Sequence, residues 1–115
     1  MSGAEEGAYA VIFTSRRAPG TAPGAQGEGT GGDGYDEVAA RMLALARDMP
    51  GYLGHDSARG ADGFGITVSY WRGPEDIARW RAHPEHARVI AAARAGGWYE
   101  AYESVTTRVE RIARR

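Results

Sequence analysis

Two histidines and a tryptophan in the segment IARWRAHPEH are the side chains whose types and spacing best suit chemistry. His86 shares a helical face with Val89 and Ile90, which predicts that its ring points into the protein. An inward imidazole that titrates near neutral pH can serve as a general base or bind a ligand. The alternative is a hydrogen-bonded structural histidine, since no carboxylate is evident that would orient the ring. We take His86 as the candidate catalytic residue.

Aromatic residues are frequent in the second half of the chain, where they can fill a core or line a pocket for a flat ligand. Trp80 lies in a predicted helix, and by default we expect its side chain to pack in the core. Trp98 and Tyr99 follow a Gly-Gly break at the entrance to a predicted strand, so they can edge a pocket or a subunit contact. His83 precedes Pro84 and is expected at a helix start facing water. The candidate substrate-binding residues are Trp80, His83, Trp98, Tyr99 and Tyr102.

The spacing of His83 and His86 raises the question of a metal site, with Glu85 or Asp56 as a carboxylate ligand. Pro84 interrupts the helix between the two histidines, so they need not share a face. The chain has three histidines and no cysteine, and the sequence does not identify the further ligands that a closed zinc site would need. We therefore expect no metal, and the lack of cysteine also excludes thiolate catalysis and iron–sulfur clusters.

The composition limits the partners and the size of the fold. The 115 residues suffice for one domain with a modest core, which we place at residues 8–112. The formal net charge is -1, with acids and arginines mixed along the chain, so neither nucleic acid nor an anionic membrane is an expected partner. The N-terminus is acidic where a signal peptide would be basic, and no apolar run approaches the ~20 residues that span a bilayer. These features predict a cytoplasmic protein.

Apolar periodicity predicts a mixture of strands and helices. The strongest signal is the segment FGITVSYW, which Gly73 and Pro74 bring to an end before a helix starts. In chain order the pattern predicts a strand over 8–15, a helix over 35–49, a hairpin of strands over 52–59 and 64–71, a helix from Pro74 that restarts at Pro84, and a strand over 102–112. This order is the βαββαβ pattern of a ferredoxin-like α+β sandwich.

Residues 16–34 are rich in glycine, proline, threonine and alanine and offer almost no large apolar side chain to bury. Such a segment cannot offset the entropy cost of ordering itself, which predicts a mobile loop. Its G-x-G runs lack the GK[ST] continuation of a phosphate-binding loop. Asp33 or Gly34 is expected to cap the helix that follows.

The first strand carries large apolar side chains on both faces, with Tyr9 and Val11 on one and Ile12 on the other. Helices in this topology cover one face of the sheet, so the second face needs another cover. The economical cover is the sheet of a second copy, and we expect a homodimer.

Six phrases, in the order in which they occur, resemble the antibiotic biosynthesis monooxygenase family of small dimeric α+β-barrel proteins: YAVIFTS, GYDEVAARM, PGYLGHDSAR, GITVSYW, IARWRAHPEH and WYEAYES. The resemblance implies two sheets forming a barrel, with a pocket between sheet and helices in each subunit. It also implies binding of a small flat hydrophobic or phenolic compound and its oxygenation without a cofactor, for which deprotonation and a dry pocket suffice. The alternatives are a ligand-binding or sensing module without turnover, and a heme-binding protein.

In the heme-degrading members of that family an Asn, a Trp and an axial His act together. Only the Trp has a match here, in Trp80. The chain has no Asn, and alignment on Trp80 puts Ile90 where the axial histidine would stand. His86 lies one turn earlier on the same face, so a displaced axial ligand is the remaining route to heme binding. The resemblance therefore implies no cofactor and no heme degradation of this type.

Overall fold

The strands form a four-stranded antiparallel sheet in a computed structural model that describes residues 3–18 and 34–115. The elements are β1 (Tyr9–Arg17), α1 (Tyr35–Arg47), β2 (Tyr52–Arg59), β3 (Phe64–Trp71), α2 (Pro74–Ala82), α3 (Pro84–Ala95) and β4 (Tyr99–Arg108). The strand order is β2-β3-β1-β4. The α+β ferredoxin-like βαββαβ fold is confirmed, with its second helix divided at Pro84 as predicted.

Alternation along the central strands sends side chains to two distinct faces of the sheet. Tyr9 and Val11 of β1 pack against the core under the helices. Ile12 points to the other face, where its neighbours across the sheet are Val68 of β3 and Val105 of β4. Within residues 3–18 and 34–115, the helices pack on the face that carries Tyr9 and Val11, and no helix or strand covers the second face.

The core centres on aromatic and aliphatic side chains where the helices meet β3. Trp71 is completely buried, and Ile77 and Trp80 of α2 are 8% and 9% exposed. Ala46 of α1 completes this buried cluster. Because α1 and α2 both contribute, the cluster holds these two helices against β3.

The ends of α2 follow from local chemistry. Pro74 starts the helix, and Glu75 and Asp76 lie in its first turn, where negative charge suits the helix dipole. His83 adopts φ -57° and ψ 129°, the extended conformation expected of a residue before proline, so the helix ends there and α3 begins at Pro84.

The predicted bounds of two strands are wrong. β1 extends through Arg16 and Arg17, so these residues belong to the sheet and not to a loop starting at residue 16. β4 begins at Tyr99 and ends at Arg108 instead of running over 102–112, because the glycines that end α3 release the chain directly into pairing with β1. The rest of the predicted loop, over 19–33, and its suggested cap Asp33 lie outside the described residues. Gly34, with φ 78°, is the N-cap of α1.

Candidate functional site

The helix-facing side of the sheet carries the side chains from which a site can be built. The register places Tyr9 of β1 opposite Trp71 of β3 at one end. Near the other end it places Ser15 of β1 opposite Tyr102 of β4. Tyr9 and Ser15 are about 20 Å apart, since a strand rises ~3.3 Å per residue. The candidate residues divide between these two ends.

The indole stack, composed of Trp71, Trp80 and His86, occupies the first end. The ring centres of Trp71 and Trp80 are 6.3 Å apart, and those of Trp80 and His86 are 4.3 Å apart with only 10° between the planes. His86 therefore points inward, as its helical position predicts. Its imidazole lies against the indole of a core residue.

One hydrogen bond determines which ring nitrogen of His86 carries the proton. Nδ1 lies 3.2 Å from the backbone carbonyl oxygen of Trp80. A carbonyl oxygen only accepts, so Nδ1 carries the proton and Nε2 keeps its lone pair. Burial lowers the pKa of His86, which keeps the ring neutral at pH 7. A neutral imidazole with a free Nε2 is the form that a general base needs.

His83 lies at the same junction and caps α3. Its Nδ1 accepts a hydrogen bond from the backbone N–H of Glu85 at 3.1 Å, and its ring centre is 5.8 Å from that of Trp80. The side chain is half-buried, so the expectation of a ring facing water is only partly met. His83 therefore stabilises the start of α3 by accepting a hydrogen bond from a backbone N–H that has no partner within the helix.

The aromatic wall, composed of Phe13, Tyr99 and Tyr102, occupies the other end of the helix-facing side. The three ring centres are 5.6–5.9 Å apart from one another, in edge or tilted arrangements. Tyr99 donates its hydroxyl proton to Tyr35 Oη of α1 at 2.9 Å. Burial, together with this hydrogen bond, raises the pKa of Tyr99, which keeps it a phenol. Tyr102 remains 42% exposed, although its side chain points toward the helix layer.

Trp98 adjoins the wall through Tyr35. Their ring centres are 5.9 Å apart, and the Trp98 carbonyl oxygen accepts a hydrogen bond from Arg17 Nε at 3.0 Å. Trp98 and Tyr99 thus lie where the last strand begins, after the Gly-Gly break, and Tyr102 follows on β4.

Two arginines that the sequence did not single out lie beside this wall. The Arg17 guanidinium lies 3.7 Å from the centre of the Tyr35 ring, and Arg17 is only 4% exposed. Arg59 Nη2 donates to Ser15 Oγ at 2.7 Å and to Tyr35 Oη at 3.1 Å. For Arg17 the sequence did hold a signal, the alternation of side chains along a strand. Arg17 follows Val11, Phe13 and Ser15 at a spacing of two, which places it on the same face.

The structure thus separates residues that the sequence treated as one pocket. Trp80, His83 and His86 lie at the α2–α3 junction, and Trp98, Tyr99 and Tyr102 lie near the start of β4. A small compound on the aromatic wall would lie toward the far end of β1 from the indole stack. The catalytic and binding roles of these residues remain predictions.

Other classes of site receive no support from the part of the chain that is described. Within residues 3–18 and 34–115, no three histidines, aspartates or glutamates come together as a metal site would require. In the same residues, no helix is both long enough and apolar enough to cross a membrane.

A family model described as antibiotic biosynthesis monooxygenase matches residues 31–92. YqjZ of Bacillus subtilis (strain 168), an uncharacterized protein, is 43% identical over 103 residues, which cover 90% of this chain and 80% of YqjZ. The chain belongs to the antibiotic biosynthesis monooxygenase family. The resemblance noted from its sequence phrases is thereby confirmed.

Solved structures agree with the fold of this family. PA3566 from Pseudomonas aeruginosa superposes with a TM-score of 0.70 at 15% identity, covering 94% of this chain and 97% of PA3566. SnoaB from Streptomyces nogalater, described as a cofactor-independent oxygenase, superposes with a TM-score of 0.69 at 18% identity, covering 91% of this chain and 95% of SnoaB. At these identities the likeness concerns the fold alone.

The family resemblance led us to expect a pocket between sheet and helices, whereas one groove lies between two helices. It holds about 360 Å³, and its apolar lining comes from α1, α3 and the residue before β4: Val38, Met42, Val89, Ala92 and Trp98. The guanidinium of Arg41 and the carboxylate of Glu85 form a bidentate pair at its rim, with N–O distances of 3.0 and 3.1 Å. On the sheet side, the exposed Tyr102 marks where the helices leave β4 open.

The residues that bear on heme in this family can also be placed. Ile90, at the position where a heme-degrading member would carry its axial histidine, is half-buried on α3. His86 has one ring face on Trp80 and one nitrogen on the Trp80 carbonyl oxygen. Iron ligation by His86 would have to use Nε2.

Proposed function

We propose that this family member binds a small flat aromatic or phenolic compound on the aromatic wall. One observation carries the proposal: Tyr102 points toward the helix layer yet stays 42% exposed, and its ring is held by Phe13 and Tyr99. An exposed aromatic face with a fixed orientation is a ready stacking surface, because little side-chain entropy is lost when a ligand covers it. The neighbouring tyrosine hydroxyls add polar groups that can orient a phenol.

Turnover is a second candidate function, and the state of His86 favours it. The neutral ring with a free Nε2 can accept the proton of a phenol. Deprotonation makes an electron-rich ring that can react with oxygen without a cofactor, an activity named for SnoaB. His86 would act on a compound that lies against the indole stack. A module that binds its ligand on the aromatic wall without turnover is the competing proposal.

The proposed partner is a second copy of the chain. Three large apolar side chains on the uncovered face of the sheet, Phe64, Ile66 and Val105, are 39%, 41% and 43% exposed. On the same face, Ile12 of β1 lies between Val68 of β3 and Val105 of β4, and Ile66 is two residues from Val68 along β3. Pairing two such faces would bury them and build a barrel, which we propose for a cytoplasmic dimer.

Calorimetric titration with 2-naphthol tests the binding proposal. We expect saturable binding to the wild-type protein and at least a roughly fivefold loss of affinity in Tyr102→Ala, since losing one aromatic contact costs about 1 kcal/mol or more. Thr106→Ala is the control, because Thr106 is also exposed on the helix-facing side of β4 but lies four residues from Tyr102, opposite Val11. Equal affinities for the wild type and Tyr102→Ala would overturn the proposed site.

Oxygen consumption during incubation with the same compound tests turnover. We expect His86→Gln to abolish any consumption while leaving the calorimetric affinity at the aromatic wall unchanged. Absence of consumption by the wild-type protein, with binding intact, would support the binding module.

A further inference from the structure

A row of four residues crosses the helix-facing side of the sheet beside the aromatic wall. Arg59 of β2 pairs with Gly65 of β3, which pairs with Ser15 of β1, which pairs with Tyr102 of β4. The Arg59 side chain extends along this row until Nη2 lies 2.7 Å from Ser15 Oγ. Directly paired side chains on adjacent strands have Cβ atoms about 5 Å apart, so the guanidinium reaches the immediate neighbour of Tyr102.

Gly65 makes this reach possible. A Cβ atom at Gly65 would lie 2.6 Å from Arg59 Cζ and 2.8 Å from Nη2. Only the missing side chain leaves space for a guanidinium to pass over β3. A cation from an edge strand is thereby brought to the middle of the sheet.

Among the residues that the structure describes, the groups that accept hydrogen bonds from Arg59 are all neutral. They are Ser15 Oγ, Tyr35 Oη and the carbonyl oxygen of Gly63. A second guanidinium, that of Arg17, lies on the same Tyr35 ring. The positive charges of Arg59 and Arg17 each act to lower the pKa of Tyr99, against the larger effect of burial. The electrostatic field of both guanidinium groups therefore extends to the aromatic wall. A half-buried guanidinium whose hydrogen bonds go to neutral groups favours a nearby anion, since the low surrounding dielectric strengthens the attraction.

We infer that the compound bound on the aromatic wall carries an anionic oxygen, as an aromatic carboxylate or phenolate, and that Arg59 selects it. This inference rests on the proposed function and names its ligand class. The ring stacks on Tyr102, and the oxyanion faces the Arg59 end of the row. The planar guanidinium offers several N–H donors, so Arg59 can bind an oxyanion while keeping its bond to Ser15.

Matched ligands test this selection by calorimetry. 2-Naphthoate and 2-naphthamide have the same ring, and only the first carries a charge. We expect the wild-type protein to bind 2-naphthoate roughly tenfold more tightly or better, the usual gain from a hydrogen bond to a charged group. Titrations with 2-naphthol at pH values below and above its ionisation separate phenolate recognition from carboxylate recognition.

Three variants assign the preference to Arg59. Arg59→Gln should bring the ratio of the two affinities close to one while 2-naphthamide binds within about twofold of the wild type, since only the charge is removed. Arg59→Lys should retain part of the preference. Gly65→Ala should lose it as well, because the guanidinium is displaced from the row. Far-UV circular dichroism checks that each variant is folded.

The outcomes separate this inference from the function on which it rests. Equal binding of 2-naphthoate and 2-naphthamide by the wild-type protein would overturn the inference alone. Failure of both compounds to bind would overturn the proposed function and the inference with it. A preference that persists in Arg59→Gln would refute the assignment to Arg59.

Discussion

Arg59 on the edge strand β2 donates a 2.7 Å hydrogen bond to Ser15 on the central strand β1, across the intervening Gly65. Ser15 is 2% exposed, so its hydroxyl depends on a protein partner. The contact ties three strands together at the end of the sheet that carries the aromatic wall. It also explains why β3 has a glycine among its otherwise larger residues.

Gly65→Ala should destabilise the protein by about 1–3 kcal/mol, because Arg59 must leave Ser15 and a buried hydroxyl loses its partner. Urea denaturation measures the change. In an Arg59→Ala background the same substitution should cost much less, since the added methyl group then meets no guanidinium. An equal cost in both backgrounds would show that the glycine is needed for a reason other than Arg59.

Trp80→Ala should destabilise the protein by about 3–5 kcal/mol, the usual cost of emptying a large core site. Trp80 is 9% exposed and stacks between Trp71 and His86. Trp80→Phe is the matched variant and should cost clearly less, because it keeps an aromatic ring in the stack. Unchanged stability with altered ligand binding would instead place Trp80 in a pocket.

The stability of the protein should fall with acidification through His86. Burial lowers the pKa of His86 in the folded state, so below the ordinary value of 6.5 the unfolded chain takes up the proton first. The free energy of unfolding is therefore highest above pH 6.5, with respect to His86. It decreases as the pH falls from 6.5 toward the lower pKa of His86 in the folded protein. His86→Gln should show a smaller loss of stability between pH 7 and pH 5 in urea denaturation. If the free energy of unfolding falls equally in the wild type and in His86→Gln, protonation of His86 is not the cause.

Ile66→Asp should convert a dimer to a monomer, because Ile66 is 41% exposed on the uncovered face of the sheet and a carboxylate there would be buried on pairing. An interface of this kind buries on the order of 2,000 Å² or more. Light scattering at micromolar concentration gives the mass. Ser57→Asp, exposed on the helix-facing side, is the control and should remain dimeric. A monomeric wild-type protein would refute the proposed dimer.

The sequence predicted most of the fold because its signals were local. The alternation in FGITVSYW, the Gly-Pro stop and the proline that divides α2 from α3 each act within a few residues, and β2 and β3 are found where predicted. The end of β1 was missed because Arg16 and Arg17 adjoin a glycine- and proline-rich stretch that contains no apolar alternation.

The site was less accessible to sequence reasoning, because its decisive contacts cross the sheet. Arg59 and Ser15 are 44 residues apart, and only the register of three strands shows that they lie in one row. The same register separates the indole stack from the aromatic wall. Residue types alone grouped His86 with Tyr102. Strand pairing instead places Trp71, the strand residue of the indole stack, and Ser15, the partner of Tyr102, toward opposite ends of the sheet.

The most direct test of the central claim is a ¹H–¹⁵N correlation spectrum of the protein titrated with 2-naphthol. If the compound binds on the aromatic wall, the largest saturable shifts will come from the backbone amides of Phe13, Tyr99 and Tyr102. Shifts centred on Trp80 and His86, or on the α1–α3 groove, would contradict the claim and would show which other surface binds the compound.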